Sequence, residues 1–158
     1  GGFAHTVLIS IGSKKGIVRG NPVLTADGLV GIVIDVGLTH ARVLMISDIN
    51  ARIPVILASS SWPGLTVGQN GQFLDLQFLP GEANPKIGEL VLTSGHGGVL
   101  PNGLAVGRVD QIKNGKILES KLYSTNEATL IVYNSKKIYV CSISNNLTKC
   151  ILSKKKYK

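Results

Sequence analysis

A serine and a histidine stand two positions apart in a glycine-rich stretch, residues 93–98. Serine hydrolases use such a pair: the histidine takes the proton of the serine hydroxyl, and a carboxylate orients the histidine. Ser94 and His96 are too close in sequence for the imidazole to reach the hydroxyl within so short a loop, and no Gly-x-Ser-x-Gly elbow surrounds the serine. A degenerate serine hydrolase with Ser94 as nucleophile is therefore an alternative function and not the leading one.

The glycines of this stretch favour a structural interpretation. Glycine adopts positive φ at little cost, and serine and threonine hydroxyls bond readily to nearby backbone groups. We expect Gly95, Gly97 and Gly98 to adopt positive φ or to allow close backbone approach. We expect Thr93 and Ser94 to form local hydrogen bonds. A phosphate-binding loop would need a following helix and a Gly-Lys-Ser or Gly-Lys-Thr motif, both missing here, so the stretch argues against nucleotide binding.

The histidines predict no metal site. His5, His40 and His96 are far apart in sequence and none belongs to a His-x-x-x-His spacing. No carboxylates form a ligand pattern around them. The sequence therefore predicts neither a metal nor a cofactor.

A polar turn joins two strand-like segments at residues 48–52. Asp48 and Asn50 are natural turn formers, and Arg52 is placed where it can pair with Asp48 across the turn. This structural account is sufficient for the three residues. A binding role for Arg52 requires an exposure that the sequence does not show.

The positive charge lies mainly at the C-terminus. The chain has a formal net charge of +8, but lysines and arginines nearly balance the carboxylates over residues 1–135. The lysine-rich end suits an anionic membrane surface, an acidic partner or a solvated tail. A basic nucleic-acid-binding barrel is a further alternative, which the neutral body and the scattered aromatic residues disfavour.

The two cysteines, Cys141 and Cys150, lie near this basic end. They form no Cys-x-x-Cys motif and have no neighbouring histidine, so they do not indicate a zinc site. A disulfide between them is permitted in an oxidising compartment, but the sequence does not require one.

The elements that position the glycine-rich loop form an internal repeat. The motif Gly-x-x-Val-Leu-Thr followed by Val-Gly-x-Val occurs at residues 20–33 and again at residues 88–109. The connection between its two halves is short in the first copy, residues 26–29, and long in the second, residues 94–105. Two related β modules with one elaborated loop are predicted, and the loop is the part least explained by packing.

Apolar residues alternate with polar ones along most of the chain, which is typical of strands. Turn signals such as Asp27-Gly28, Asn70-Gly71 and Asn114-Gly115 separate these segments. An all-β fold without a long helix is therefore predicted. The expected strands lie near residues 4–11, 22–25, 29–36, 41–46, 52–57, 72–78, 90–93, 104–112, 116–123, 128–133 and 137–143.

A serine run followed by Trp-Pro-Gly at residues 59–64 predicts a boundary between two modules. The first module is then 1–58 and the second 59–112. Residues 113–143 hold the final strands, which either continue the second module or return to the first. Residues 144–158 are expected to form a basic, frayed tail.

No apolar run approaches the roughly 20 residues that span a bilayer. The chain starts without Met and without a signal peptide, directly before a strand-like segment. We therefore expect a piece excised from a longer protein, so the lack of an anchor says nothing about the parent.

The order and spacing of many glycines, prolines and strand residues between about residues 9 and 112 resemble the extracytoplasmic region of the MreC family of bacterial rod shape-determining proteins. The positions that carry the resemblance are residues 20–23, 27–31, Val36, residues 42–44, Ser47, Asp48, Asn50, residues 52–55, Gly88, residues 91–95, Gly97, Gly98, Pro101, Gly103 and residues 106–109. The resemblance implies two small β-barrels, distantly chymotrypsin-like and without a catalytic triad. It also implies a membrane-spanning helix and a coiled coil, both missing before residue 1, and a periplasmic location.

The function that the resemblance implies is that of a non-enzymatic scaffold. MreC-like proteins bind and activate the class B penicillin-binding protein that works with RodA, link it to MreD and MreB, and self-associate. On this interpretation the partner-binding residues lie in the elaborated loop and in the polar turn. They are Ser94, Gly95, His96, Gly97, Gly98, Pro101 and Asn102, with Asp48 and Arg52 in the turn.

Overall fold

The computed structural model describes residues 5–110, 112, 127–133, 138–144 and 147–152. The predicted all-β fold is confirmed: the helical structure over these residues is one 3-10 turn, Ser13–Lys15. The strands are β1 (Thr6–Ile9), β2 (Pro22–Thr25), β3 (Gly28–Val36), β4 (Ala41–Met45), β5 (Arg52–Leu57), β6 (Pro63–Gly68), β7 (Leu74–Gln77), β8 (Leu90–Thr93), β9 (Ala105–Arg108), β10 (Glu127–Tyr133), β11 (Ile138–Ser144) and β12 (Leu147–Leu152).

These strands form two antiparallel sheets. The first has the order β1-β4-β3-β2-β10-β11-β12, and the second has the order β7-β6-β5-β8-β9. Strand β12 at one end of the first sheet lies close to β1 at the other end. The first sheet therefore curls back on itself, as a strongly twisted sheet does when it closes towards a barrel.

The chain leaves the first sheet earlier than the predicted boundary. Strand β5 already belongs to the second sheet, so the crossing falls in the turn of residues 46–51. Residues 58–62 connect β5 to β6 within that sheet, although the sequence predicts a boundary between modules at residues 59–64. Strand β6 was not predicted, because Pro63 and Gly64 are strand breakers. Pro63 is tolerated because it is the first residue of its strand.

The final strands return to the first sheet, which is one of the two alternatives that the sequence leaves open. Leu24 and Val23 of β2 lie opposite Ile131 and Val132 of β10. Strand β12 occupies part of the segment expected to fray, residues 144–158. The predicted strand at 116–123 lies outside the described residues.

Two hydrophobic clusters fill the space behind the sheets, and β3 contributes to both. The first cluster contains Ile9, Ile11, Ile17, Val23, Val30, Val33, Ala41 and Val43. The second contains Leu29, Ile46, Ile53, Val55, Leu57, Leu74, Leu76, Val91, Leu100, Val106 and Val109. Because Leu29 packs in the second cluster and the neighbouring Val30 in the first, β3 is the strand that joins the two cores.

A bulge in β3 changes the face that the sequence pattern predicts to be buried. Strict alternation would bury Ile34 and leave Val33 on the opposite face, but Val33 is fully buried and Ile34 is half-buried. The pairing with β2 shifts between Val23 and Leu24, so Val30 is an additional residue of β3 and lies before Val33. A bulge of this kind reverses the alternation beyond it.

The sequence repeat corresponds to two equivalent hairpins. Val23 lies opposite Gly31 in the β2–β3 hairpin, and Val91 lies opposite Gly107 in the β8–β9 hairpin. In each hairpin the register shifts immediately after that valine. The repeat therefore encodes the same pairing and the same irregularity in both sheets.

Candidate functional site

The elaborated loop of the second hairpin, residues 94–103, joins β8 to β9 and is called the glycine loop below. Thr93 at its base is fully buried. Its Oγ1 donates a hydrogen bond to the carbonyl of Pro101 at 2.7 Å and accepts one from the N–H of Leu104 at 2.9 Å. Leu100 is 7% exposed and packs in the second cluster. The loop is thus fixed at both ends and in its middle.

Three glycines at the apex of the glycine loop have the left-handed backbone conformation. Gly95, Gly97 and Gly98 have φ values of 74°, 80° and 73°, as predicted. The N–H of Gly98 donates to the carbonyl of Gly95 at 3.1 Å. Side chains other than glycine rarely adopt such φ values, so this sequence stabilises a tight, projecting turn.

Ser94 and His96 take part in this turn through local contacts. The backbone N–H of His96 donates to Oγ of Ser94 at 3.2 Å, and the N–H of Ser94 donates to the carbonyl of Pro54 at 3.0 Å. The contact between the two residues thus uses the backbone of His96 and not its imidazole. Such a serine hydroxyl stabilises a turn, as expected from the sequence.

The glycine loop exposes both apolar and polar groups. His96, Gly97, Gly98, Pro101 and Asn102 are exposed, whereas Ser94 and Gly95 are half-buried. Val99 is 65% exposed. Its Cγ1 lies 3.3 Å from the position that a Cβ atom on Gly20 would occupy, so the loop approaches the turn that precedes β2. Both sheets therefore contribute to the surface around Val99.

Asp48 is buried, with 1% of its surface exposed. Its Oδ1 accepts a hydrogen bond from the N–H of Asn50 at 2.7 Å, and its Oδ2 accepts one from the N–H of His5 at 2.6 Å. Burial alone would raise the pKa of Asp48, but the N–H groups of Asn50 and His5 stabilise the carboxylate and hold its pKa below the ordinary value. The carboxylate ties the chain ahead of β1 to the turn between the sheets.

Arg52 is exposed and does not pair with Asp48: over the described residues the ion pair within 4.0 Å joins Asp35 to Arg42. The expected ion pair across the turn is replaced by the backbone contacts of Asp48. Ile49, which is 54% exposed, and Asn50 lie beside Arg52 on the accessible side of the turn. A partner at this turn would contact Ile49, Asn50 and Arg52. The buried Asp48 would position the turn without touching the partner.

A cleft between the two hairpins was not predicted. It has a volume of about 610 Å³ and is lined by both copies of the repeat, with Asp27, Ile87 and Arg108 among its residues. Ile87 is 64% exposed. No local sequence pattern predicts the cleft, because it forms only where the β2–β3 turn lies against β9.

Phe78 is a second feature that the alternation predicts incorrectly. The pattern places it on the buried face with Leu74 and Leu76, which are indeed buried, yet Phe78 is 78% exposed. It follows β7 with a φ of 61°, so the chain turns away from the strand at this residue. The second sheet therefore presents a large aromatic side chain beside its edge strand.

No group of three or more histidine, cysteine, aspartate or glutamate residues is placed to hold a metal ion among residues 5–110 and the other described segments. Within the same segments, no helix is long and apolar enough to cross a membrane.

Two antiparallel sheets with linked cores, equivalent hairpins and one elaborated loop define the barrel core of a rod shape-determining protein. The family model described as "Rod shape-determining protein MreC, barrel core" matches residues 1–142. The chain belongs to the MreC family.

Known proteins of the family support this assignment. The cell shape-determining protein MreC of Caulobacter vibrioides is 44% identical over 107 residues, which are 68% of this chain and 31% of that protein. The crystal structure of MreC from Pseudomonas aeruginosa is 26% identical, covers 95% of this chain and 88% of that one, and has a TM-score of 0.65. The chain thus spans about a third of the length of the Caulobacter protein.

A second similar structure is of a complex. It contains penicillin-binding protein PBP2 and MreC from Helicobacter pylori, with 18% identity, a TM-score of 0.58 and coverage of 76% of this chain and 87% of that one. At this identity the likeness concerns the fold.

Proposed function

We propose that this chain is the extracytoplasmic part of a non-enzymatic scaffold that recruits and activates the class B penicillin-binding protein of cell elongation, and so maintains rod shape. The observation that carries the proposal is membership of the cell shape-determining MreC family. The complex of PBP2 with MreC from Helicobacter pylori supports this choice of partner. Activation would follow if the chain bound the active conformation of the transpeptidase more tightly than the inactive one.

The wider assembly is part of the same proposal. The full-length protein would carry a membrane-spanning anchor, place these barrels on the periplasmic face of the cytoplasmic membrane and associate with RodA, MreD and MreB. It would form homo-oligomers through its coiled coil and barrel surfaces. Nucleic acid, metal and cofactor have no part in this function.

The glycine loop is the proposed contact surface. Thr93 holds the base of the loop and Leu100 anchors its middle in the second cluster, so little conformational entropy would be lost when a partner binds the apex. The apex offers the exposed Val99 beside backbone groups and the side chains of His96 and Asn102. An apolar centre surrounded by polar groups is the usual arrangement of a protein–protein interface.

The polar turn is the proposed secondary contact. Arg52 is exposed there and lies opposite Val67 in the second sheet, which fixes its backbone. Gly68 allows this close packing, since a Cβ atom on it would be 2.0 Å from the carbonyl oxygen of Asp48. Arginine on a rigid backbone suits a carboxylate of the partner.

The experiment is a titration of the chain with the soluble class B penicillin-binding protein of the same organism. Val99→Asp should weaken the affinity by at least about tenfold, because it places a charge at the centre of the contact. Leu38→Asp is the matched control, since Leu38 is 66% exposed, close to the 65% of Val99, but lies in the β3–β4 turn. Leu38→Asp should bind like the parent chain.

Failure of the folded chain to bind at tens of micromolar would contradict recruitment by these barrels. Equal binding by Val99→Asp and the parent would contradict the glycine-loop contact while leaving recruitment intact. Phe78→Gly identifies the competing surface: if it abolishes binding and Val99→Asp does not, the contact lies beside β7.

A further inference from the structure

The register of the last hairpin places the two cysteines opposite each other. Strands β11 and β12 pair from Ser144, opposite Leu147, to Tyr139, opposite Leu152. Within this ladder Cys141 lies directly opposite Cys150. A shift of one residue in either strand would separate them, so the juxtaposition is a property of the fold that the sequence leaves open.

The position of this pair within the ladder suits a disulfide. In a hairpin with a two-residue connection, the flanking pair is a hydrogen-bonded one. Pairs then alternate, so Cys141 and Cys150, three pairs beyond Ser144 and Leu147, form a non-hydrogen-bonded pair. Cα atoms of such pairs are about 4.5 Å apart, and disulfides join Cα atoms that are about 4.4–6.8 Å apart.

We propose that Cys141 and Cys150 form a cross-strand disulfide that links β11 to β12. This proposal depends on the proposed function in one respect only, the source of the oxidant. An extracytoplasmic location exposes the chain to disulfide donors. The thiolate of one cysteine attacks the donor disulfide, and one donor thiol leaves. The second thiolate then attacks the mixed disulfide and releases the other donor thiol. Two electrons and two protons pass from the cysteines to the donor.

The disulfide would hold the end strand of the first sheet in place. Strand β12 is an end strand that pairs with β11 and lies close to β1. A covalent link between β11 and β12 removes open conformations from the unfolded chain and keeps this strand paired. The curled shape of the sheet is thereby stabilised at the place where its two ends meet.

The test equilibrates the purified, reduced chain with a mixture of reduced and oxidised glutathione, followed by acid quenching, alkylation with N-ethylmaleimide and intact mass measurement. We expect a monomer without maleimide adducts whose mass is lower by two hydrogen atoms, and a protease fragment that joins the peptides of Cys141 and Cys150. Two maleimide adducts, glutathione adducts or disulfide-linked dimers as the main product would overturn the proposal.

A register control uses Thr148→Cys in a Cys150→Ser background, which moves the second cysteine to a diagonal position. Thr148 lies opposite Ile143, so it is not the partner of Cys141. The ratio of disulfide to dithiol should fall by at least about tenfold at the same glutathione ratio, because the geometry is strained. Equal formation in the two proteins would contradict the pairing on which the proposal depends. The experiment contains no penicillin-binding protein, so its result is independent of the binding titration.

Discussion

Gly28 lies so close to Ala105 that a Cβ atom on the glycine would be 2.3 Å from the carbonyl oxygen of the alanine. The contact joins β3 of the first sheet to β9 of the second sheet. Gly28 also has a φ of 136°, which other residues rarely adopt. Both sheets therefore meet at a position where only glycine fits.

Gly28→Ala should lower the free energy of unfolding by about 2–4 kcal/mol, because it combines backbone strain with steric overlap. Urea denaturation followed by circular dichroism measures the effect. Gly71→Ala is the control, since nothing lies within 4 Å of a Cβ atom there and its φ is not in the left-handed region. If the two variants were equally stable, close approach at Gly28 would not define the junction between the sheets.

Thr93→Val should destabilise the chain by about 1–3 kcal/mol, because it leaves the N–H of Leu104 and the carbonyl of Pro101 without their side-chain partner. Hydrogen exchange at the Leu104 amide should become faster. Thr93→Ser keeps the hydroxyl and loses only a buried methyl, worth about 1 kcal/mol. It should leave the Leu104 amide protected; loss of protection in Thr93→Ser would show that the hydroxyl is not what holds the loop.

The hydrogen bonds of Asp48 predict a dependence of stability on pH. The pKa of Asp48 in the folded chain is below its ordinary value of 3.8. Its contribution is therefore complete above about pH 3.8 and is lost as the pH falls through the lower pKa of the folded state. Asp48→Asn should be less stable than the parent at pH 7 and should lose less stability between neutral pH and about pH 2.

Thermal unfolding across this pH range checks the Asp48 prediction. Asp27→Asn is the control, because Asp27 is an exposed carboxylate in a different turn, the one between β2 and β3. Its pH dependence should follow the parent. Parallel pH profiles for Asp48→Asn and the parent would mean that the carboxylate does not hold the turn through its charge.

Phe78→Gly should raise the free energy of unfolding by about 0.5–1 kcal/mol, since the left-handed φ of 61° is unfavourable for phenylalanine and its side chain buries little surface. Phe73→Gly removes the same side chain at a residue without positive φ, and should destabilise. Denaturant midpoints distinguish the two. A less stable Phe78→Gly would show that the aromatic ring has packing partners.

Sequence patterns predicted the strands where local signals agree with the fold. Val23, Leu24 and Thr25 are β-formers in a motif that recurs, and both copies form the same hairpin. The patterns failed where a long-range contact decides the outcome. Pro63 is a strand breaker in isolation, but it pairs with Ile56 of β5. Phe78 continues the alternating pattern of β7 in the sequence, but its positive φ turns the chain away from the strand.

The candidate site was predictable to a similar extent. The positive φ values of Gly95, Gly97 and Gly98 follow from residue type, since few other residues occupy such a turn. The burial of Asp48 depends on the N–H of His5, which is distant in sequence, and no local pattern contains that information. The cleft between the hairpins has the same origin.

The return of β10 to β2 sets an order of folding. The second sheet consists of consecutive strands, β5 to β9, whereas the first is complete only when Ile131 reaches Leu24 across most of the chain. Closing such a long loop is slow compared with forming local hairpins. One edge of strand β2 therefore stays unpaired until β10 forms. In pulsed hydrogen exchange, the amides of β5 to β9 should gain protection first. The slow step of folding belongs to the sheet that contains both ends of the described chain.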